Sequence, residues 1–568
     1  MKQPSSENKT GARIVAEALK REGVEYVFAY PGATSMPLHQ ALSDEKVKVI
    51  LPRHEQGGAF AAGGYARRTG HPGVCMATSG PGATNLVTGI ADAYMDSIAL
   101  VVITAQVDQH LIGKNAFQET DIIGMTRLCV KHSYLVLDIR DLAQTLTDAF
   151  YLVTHGRPGP VVIDIPWDVL HATCVPEFKG KASLLCLEER HVPTESSVDE
   201  LYRMLKVCKR PVLYVGGGAV AANVSKEVRA FAERNRLPLT SSLMGIGTLA
   251  WDHPLNLRWL GMHGAYAANR AVNECDLLIG LGVRFSDRVT GNINAFAPHA
   301  KIVHVDIDNS EINKNKHTDF ALVCDVRELL VKLLEKPVLP TRKAWLKQLD
   351  EWKAEHPFGV ATGGTKGLIG PDVIQMLYKM TNGSATIVTG VGQHQMWAAQ
   401  FYGMSKPRHL LTSGGLGAMG FGLPTAIGAQ MAKPDDTVIL IDGDGSFQMN
   451  IQELATVYCQ SLPLKMVILD NQLLGMVAQW QDIFYDGRHT DTDLAVPKAR
   501  RPYPDFVSIA KGYMIPGLEV STTKELEPAI RKMLKTPGPF LLDVHIVPNE
   551  HVLPMIPAGK TCEEIILS

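Results

Sequence analysis

The stretch from Thr437 to Asn471 constrains this chain more than any other. An apolar run, Val438-Ile439-Leu440-Ile441, leads into Asp442-Gly443-Asp444-Gly445-Ser446-Phe447. A helix-like segment follows, then a second apolar run, Met466 to Leu469, ending at Asp470-Asn471. Apolar runs separated by a helix predict parallel strands covered on both faces. A strand that stops at a glycine turn and opens a helix aims unpaired N–H groups at one point, a cradle for phosphate. Asp444 and Asn471 offer hard oxygen ligands. The interval between them fits one helix and one strand, so both are expected at neighbouring strand ends, able to share an octahedral Mg²⁺. Taken alone, Asp-Gly-Asp-Gly also fits an ordinary turn, which favours these residues for backbone reasons.

The rest of the chain repeats the alternation. A helix from Ile14 to Leu19, strands at Tyr26–Ala29, Val47–Leu51, Val74–Thr78, Leu100–Ile103 and Val161–Ile165, and glycine turns at Pro31-Gly32 and Ser79-Gly80-Pro81-Gly82 predict a first doubly covered parallel sheet. Ala59 to Gly80 spans the same length as Gly422 to Gly443, and both stretches run helix, strand, glycine turn. Where the second has Asp444 the first has Pro81, so only the second would hold a metal. In a middle unit, Pro211–Val215 ends in Gly216-Gly217-Gly218-Ala219-Val220-Ala221, a loose form of the dinucleotide fingerprint. There Asp276–Leu281 ends at Gly282, and Ile302–Val305 ends at Asp306-Ile307-Asp308, whose carboxylates suit ribose hydroxyls. The expected organisation is α/β throughout, with three doubly wound parallel-sheet domains. Residues 1–170 form the first domain, 171–197 a linker, 198–335 the central domain, 336–370 a second linker and 371–547 the third domain. Residues 548–568 form a Pro-containing tail suited to a lid.

At 568 residues the chain needs several cores. With 46% apolar and 20% charged residues and a net charge of -2, it gives no reason to expect nucleic acid or a membrane as partner. No apolar run approaches a membrane span. The nine cysteines, including Cys186, are scattered without a Cys-x-x-Cys, as in a reducing compartment. The polar Met1–Thr10 lacks the apolar core of a signal peptide, so the expected location is cytoplasmic.

Gly443-Asp444-Gly445-Ser446 followed by Asn471 resembles the diphosphate and magnesium motif of thiamine diphosphate enzymes. Together with Gly414-Gly415-Leu416-Gly417-Ala418-Met419-Gly420-Phe421-Gly422-Leu423-Pro424 and Leu474-Gly475-Met476-Val477-Ala478-Gln479-Trp480, it is similar to the catalytic chain of the acetohydroxyacid (acetolactate) synthase family over nearly the whole length. The resemblance implies an enzyme that decarboxylates pyruvate and transfers the two-carbon unit to a second 2-oxo acid, in the biosynthesis of isoleucine and valine. It makes Glu55, in Pro52-Arg53-His54-Glu55-Gln56-Gly57-Gly58-Ala59, the pyrimidine-side glutamate, and it puts Gln118 beside the reacting centre. Gln393, His394, Gly417 and Met476 join the diphosphate motif, Met419 props the cofactor, and Leu473 offers a backbone carbonyl to the metal. Trp480 and Arg288 match residues that favour 2-oxobutyrate as acceptor. The middle domain would hold a structural FAD through Arg157, Gly216, Gly217, Gly218, Leu243, Met244, Met262, His263, Gly282, Arg284, Arg288, Asp306, Ile307, Asp325 and Val326. The family's active site crosses between subunits, which implies a homodimer or tetramer and leaves room for a regulatory small subunit.

Ala33 stands where the family usually has glycine, Asp108 where it has proline, Trp167 where it has lysine and Leu473 where some relatives have histidine. Other enzymes on this scaffold remain alternatives, namely a pyruvate oxidase, a decarboxylase or glyoxylate carboligase. Glu55 argues against the last of these, and Trp480 with Arg288 against the others. An NAD-dependent oxidoreductase built on Gly216–Ala221 is the alternative from another class.

Overall fold

The computed structural model describes residues 7–180, 182–183, 192–359, 367–496 and 503–567. The inner parts of both expected linkers, Cys186 and the first six residues lie outside the described residues. Three six-stranded sheets, every neighbouring pair parallel, carry the chain. The first contains Tyr26–Ala29, Lys48–Ile50, Gly73–Ala77, Leu100–Gln106, His132–Leu135 and Pro160–Pro166. The second contains Pro211–Val215, Leu239–Ser241, Asn256–Trp259, Leu277–Leu281, Lys301–Asp306 and Phe320–Val323. The third contains Thr386–Thr389, Leu410–Leu411, Val438–Gly443, Lys465–Asp470, Gly517–Val520 and Phe540–His545.

Counted within each sheet, the outer two share the order 2-1-3-4-6-5 and the central one is 3-2-1-4-5-6. The weak internal repeat therefore belongs to two copies of one topology, and its halves lead into the third strand of each. Leu100–Gln106, Pro160–Pro166, Val438–Gly443 and Lys465–Asp470 are buried along their whole length, as expected of strands with helices on both faces.

The two helices that precede those third strands, Glu55–Thr69 and Gly422–Ala432, pack on each other and join the outer domains. Their glycines make this approach feasible. A Cβ on Gly64 would lie 2.3 Å from the Thr425 carbonyl oxygen, and one on Gly428 would lie 1.8 Å from that of Ala61. Phe60 meets Phe421 edge to face at 5.4 Å. His54 caps the first helix by accepting from the Gln56 N–H, and Gly70 closes it at φ +79°.

The tail from His551 is irregular, as expected, and tightly seated. Val552 and Met555 are buried, the Ile556 N–H donates to the Met262 carbonyl, and the Val552 N–H donates to Gln479. No helix among the described residues is long and apolar enough to cross a membrane.

Candidate active site

In an open parallel sheet, ligands gather where the strand order reverses. In the third sheet that point lies between Thr386–Thr389 and Val438–Gly443. Gly390-Val391-Gly392 leaves one strand, Gly443-Asp444 leaves the other, and Asn471 leaves the adjoining Lys465–Asp470. Asp444 and Asn471 thus arrive at neighbouring strand ends.

Asp444 opens the short helix Asp444–Gln448 and is buried. Burial, and then the nearby Asp470 carboxylate, push its carboxyl up to about 7. The nearby Tyr503 hydroxyl pulls the other way, while Oδ2 has no hydrogen-bond partner among the described residues. A buried, partnerless carboxylate oxygen in an acidic neighbourhood fits a cation ligand. Asn471 Oδ1 accepts from the Leu473 N–H at 3.2 Å, and its amide lies 3.5 Å from Gln393 Oε1, so Asn471, Leu473 and Gln393 are neighbours.

Ser446 Oγ accepts from the backbone N–H groups of Gly420 (3.2 Å) and Val391 (3.4 Å), tying three glycine-rich segments together. His394 lies beside Gly443, where a Cβ would fall 2.7 Å from Nδ1. Its Nε2 is 3.4 Å from Asp442 Oδ1, but burial pushes the imidazole down to about 3, so the ring is neutral and the two form no ion pair. The Met419 methyl group faces Gly445.

A cavity of about 1290 Å³ runs between all three domains. Every candidate flavin residue lines it: Arg157, Gly216, Gly217, Gly218, Leu243, Met244, Met262, His263, Gly282, Arg284, Arg288, Asp306, Ile307, Asp325 and Val326. So do Gly417, Met419, Met476 and Trp480. Gly216–Gly218 and Gly282 meet at the switch point of the central sheet, where a Cβ on Gly216 would sit 2.0 Å from the Gly282 carbonyl oxygen. Burial pushes Asp306 up to about 6 and His263 down to about 4. Arg157 is held by Ser97 Oγ at 2.9 Å and Glu311 at 2.7 Å. The Arg288 guanidinium lies over the Trp480 ring, 5.5 Å from its centroid.

Glu55 and Gln118 stand apart from this cavity. They flank the turn at the switch point of the first sheet. Glu55 accepts from the Asn85 side-chain amide at 2.9 Å, a Cβ on Gly82 would lie 3.4 Å from its carboxylate, and Gly80 abuts the Gln118 backbone. Gln118 has φ +59°, an uncommon conformation for a side-chain-bearing residue and one that collects at functional sites. Next to Gln118, Phe117 is 88% exposed. Sequence reasoning missed Tyr503, and it missed Arg67, Asp92 and Asp96, an arginine and two aspartates buried together. Charges inside the Ala- and Gly-rich helix Glu55–Thr69 were the available signal for Arg67.

A glycine-lined turn with a buried carboxylate, in a three-domain α/β chain, fits the class of thiamine diphosphate-dependent enzymes. The thiamine pyrophosphate enzyme family matches the chain in three parts: its N-terminal TPP binding domain at residues 9–125, its central domain at 198–333 and its C-terminal TPP binding domain at 390–544. The chain is 50% identical over 573 residues to acetolactate synthase 1, chloroplastic, of Oryza sativa subsp. japonica, covering 99% of this chain and 88% of that one. It is 48% identical to acetolactate synthase 1, chloroplastic, of Nicotiana tabacum (99% and 85%) and 49% identical to acetolactate synthase, chloroplastic, of Arabidopsis thaliana (98% and 84%). The chain belongs to the acetolactate synthase family and is an enzyme, a transferase of that type. The expectation of a cytoplasmic location is corrected by the same comparison: these relatives are named chloroplastic, not cytoplasmic.

Proposed function

We propose that the chain makes 2-acetolactate from two molecules of pyruvate, or 2-aceto-2-hydroxybutyrate from pyruvate and 2-oxobutyrate, using thiamine diphosphate, Mg²⁺ and a structural FAD. The observation that carries this reading is the buried, partnerless Asp444 oxygen beside Asn471, next to a cavity that Met419, Trp480 and Arg288 share with the flavin candidates. Asp444, Asn471 and the Leu473 carbonyl would hold the metal, with Gln393, His394, Gly443, Gly445 and Ser446 around the diphosphate. When bound, thiamine diphosphate supplies an acidic ring carbon that adds to the 2-oxo acid and holds the electron pair left when carbon dioxide departs. Glu55 would hold a proton against the cofactor's pyrimidine nitrogen, and Gln118 would sit beside the substrate. Arg288 would fork onto the acceptor carboxylate while the Trp480 indole covers its alkyl end. FAD would fill the cavity without turning over, since joining the two fragments involves no net redox change.

In one chain Glu55 does not line the cavity that holds Met419. The exposed Phe117, next to Gln118 in the chain, supports covering by a second copy. The active site would then form between the first domain of one copy and the third domain of another, in a homodimer or a tetramer. Product analysis with pyruvate and 2-oxobutyrate together, with and without thiamine diphosphate and Mg²⁺, tests the reading. Products that form without the cofactor, or no acetohydroxy acid with it, would end it. Flavin absorbance that pyruvate bleaches during turnover would favour the oxidase alternative.

A further inference from the structure

The loop from Ser413 to Gly420 serves two sites. Gly414, Gly415, Gly417 and Met419 form one wall of the large cavity, and Met419 also faces Gly445 of the diphosphate cradle. Gly414 abuts the Met244 sulfur, so the wall is continuous with the central domain.

What holds this loop is a buried charged cluster of the first domain. Arg67, in the last turn of the helix that Glu55 opens, donates to Asp92 at 2.8 Å and to Asp96 at 2.9 Å, and its guanidinium lies 4.9 Å from the centre of the Phe421 ring. Asp96 accepts from the backbone N–H groups of Gly414 (3.0 Å) and Gly415 (2.7 Å). Asp92 accepts from the Ser413 hydroxyl. That hydroxyl in turn accepts from the N–H groups of Gly417 at 2.9 Å and Ala418 at 3.0 Å, just before Met419. All three charged side chains are at least nine-tenths buried. Buried charges are costly unless fully partnered, and the loop's backbone amides supply partners here.

Resting on the cofactor reading above, we infer that Arg67, Asp92, Asp96 and Ser413 are positioning residues that hold the Ser413–Gly420 loop ordered for both cofactors, so that FAD and thiamine diphosphate with Mg²⁺ bind nearly independently while the cluster is intact and become coupled when it is broken. In a loosened loop, either ligand that orders it relieves the other of that entropy cost, which is positive coupling, and linkage makes the factor equal in both directions.

The test uses full-length protein stripped of cofactors, with FAD binding followed by quenching of flavin fluorescence, with and without saturating thiamine diphosphate and Mg²⁺. In the unaltered chain thiamine diphosphate with Mg²⁺ should change FAD binding by less than about twofold. Ser413→Ala should weaken the binding of FAD alone and raise that factor to about fivefold or more, with an unchanged far-UV circular dichroism spectrum, and Ser413→Thr, which keeps the hydroxyl, should bring it back below about twofold. Asp92→Asn carries the same expectation as Ser413→Ala and serves if that variant does not fold. A coupling factor that exceeds about twofold in the unaltered chain, or that does not rise in the variants, overturns the inference. No FAD binding by the unaltered chain would instead overturn the flavin assignment on which it rests.

Discussion

Replacing Trp480 with leucine tests the acceptor side of the site through two separable effects. The Arg288 guanidinium stands 5.5 Å from the centre of the indole ring, with a side chain that is 59% exposed. A cation–π contact at such an exposed site contributes about 0.5 to 1 kcal/mol. The indole face would also reward the extra methylene of 2-oxobutyrate by about 1 to 3 kcal/mol. Leucine keeps part of the apolar wall, so preference for 2-oxobutyrate over pyruvate should fall about tenfold, toward the low end of that range. Competing the two acceptors in one reaction and measuring the ratio of the two acetohydroxy acids reads this directly. A double-mutant cycle with Arg288→Lys should show coupling of about two- to fivefold, because lysine cannot lie flat on the ring or fork onto a carboxylate. A product ratio unchanged in Trp480→Leu would refute the assignment of the indole as selector. Strictly additive effects would show that the ring does not hold the arginine in place.

Glu55→Gln should lower turnover at least a hundredfold while leaving Mg²⁺-dependent cofactor binding within about threefold, read by cofactor titration beside the activity assay. Burial raises Asp442 and Asp444 to about 7 and Asp543 to about 8. With folded values above the ordinary carboxylate value, these groups favour the folded, cofactor-free protein most in acid, and that contribution is lost as pH climbs from about 4 to about 8. Melting temperature against pH should therefore fall less steeply in Asp444→Asn than in the unaltered chain. Mg²⁺ must displace the Asp444 proton, so its affinity should drop about tenfold per pH unit below 7, measured by titration with thiamine diphosphate held constant. Gly428→Ala would push a methyl group to 1.8 Å from the Ala61 carbonyl oxygen, and the two helices would have to separate. It should cost about 1 to 3 kcal/mol or more, read by denaturant unfolding, whereas an alanine at Gly512, which has open space and no positive φ, should change stability by less than about 0.5 kcal/mol.

How much of this was legible in the sequence follows from where the information sits. Val438–Gly443 and Lys465–Asp470 are buried on both faces and read as apolar runs, so the turn that holds Asp444 and the strand that ends at Asn471 were visible. Val47–Leu51, at the edge of the first sheet, was visible too, but two other edge strands were not. Leu410–Leu411 is only two residues long, and His132–Leu135 is half exposed, so neither carries a continuous apolar run. The flavin candidates were read from scattered short motifs, and the fold gathers them into one cavity because the glycine turns fall at sheet switch points. Tyr503 and the Arg67 cluster escaped because their partners are distant in the chain. Ser413 meets Asp92 across 321 residues, and no local pattern records such a pairing. Location was misread, since a polar stretch of residues does not by itself name a compartment.

Mixing two inactive variants puts the central claim to the most direct test, because Glu55 and Asp444 are held to meet only across two copies. Glu55→Gln and Asp444→Ala chains, each silent alone, are unfolded into subunits, mixed in equal amounts and reassembled with cofactors. If each site takes Glu55 from one copy and Asp444 from the other, random pairing makes half the dimers mixed, each with one intact site. Activity should then return to about a quarter of the unaltered level. If the mixture stays inactive while native gels show that mixed dimers have formed, the two carboxyl groups do not complete one site across the interface, and the account fails.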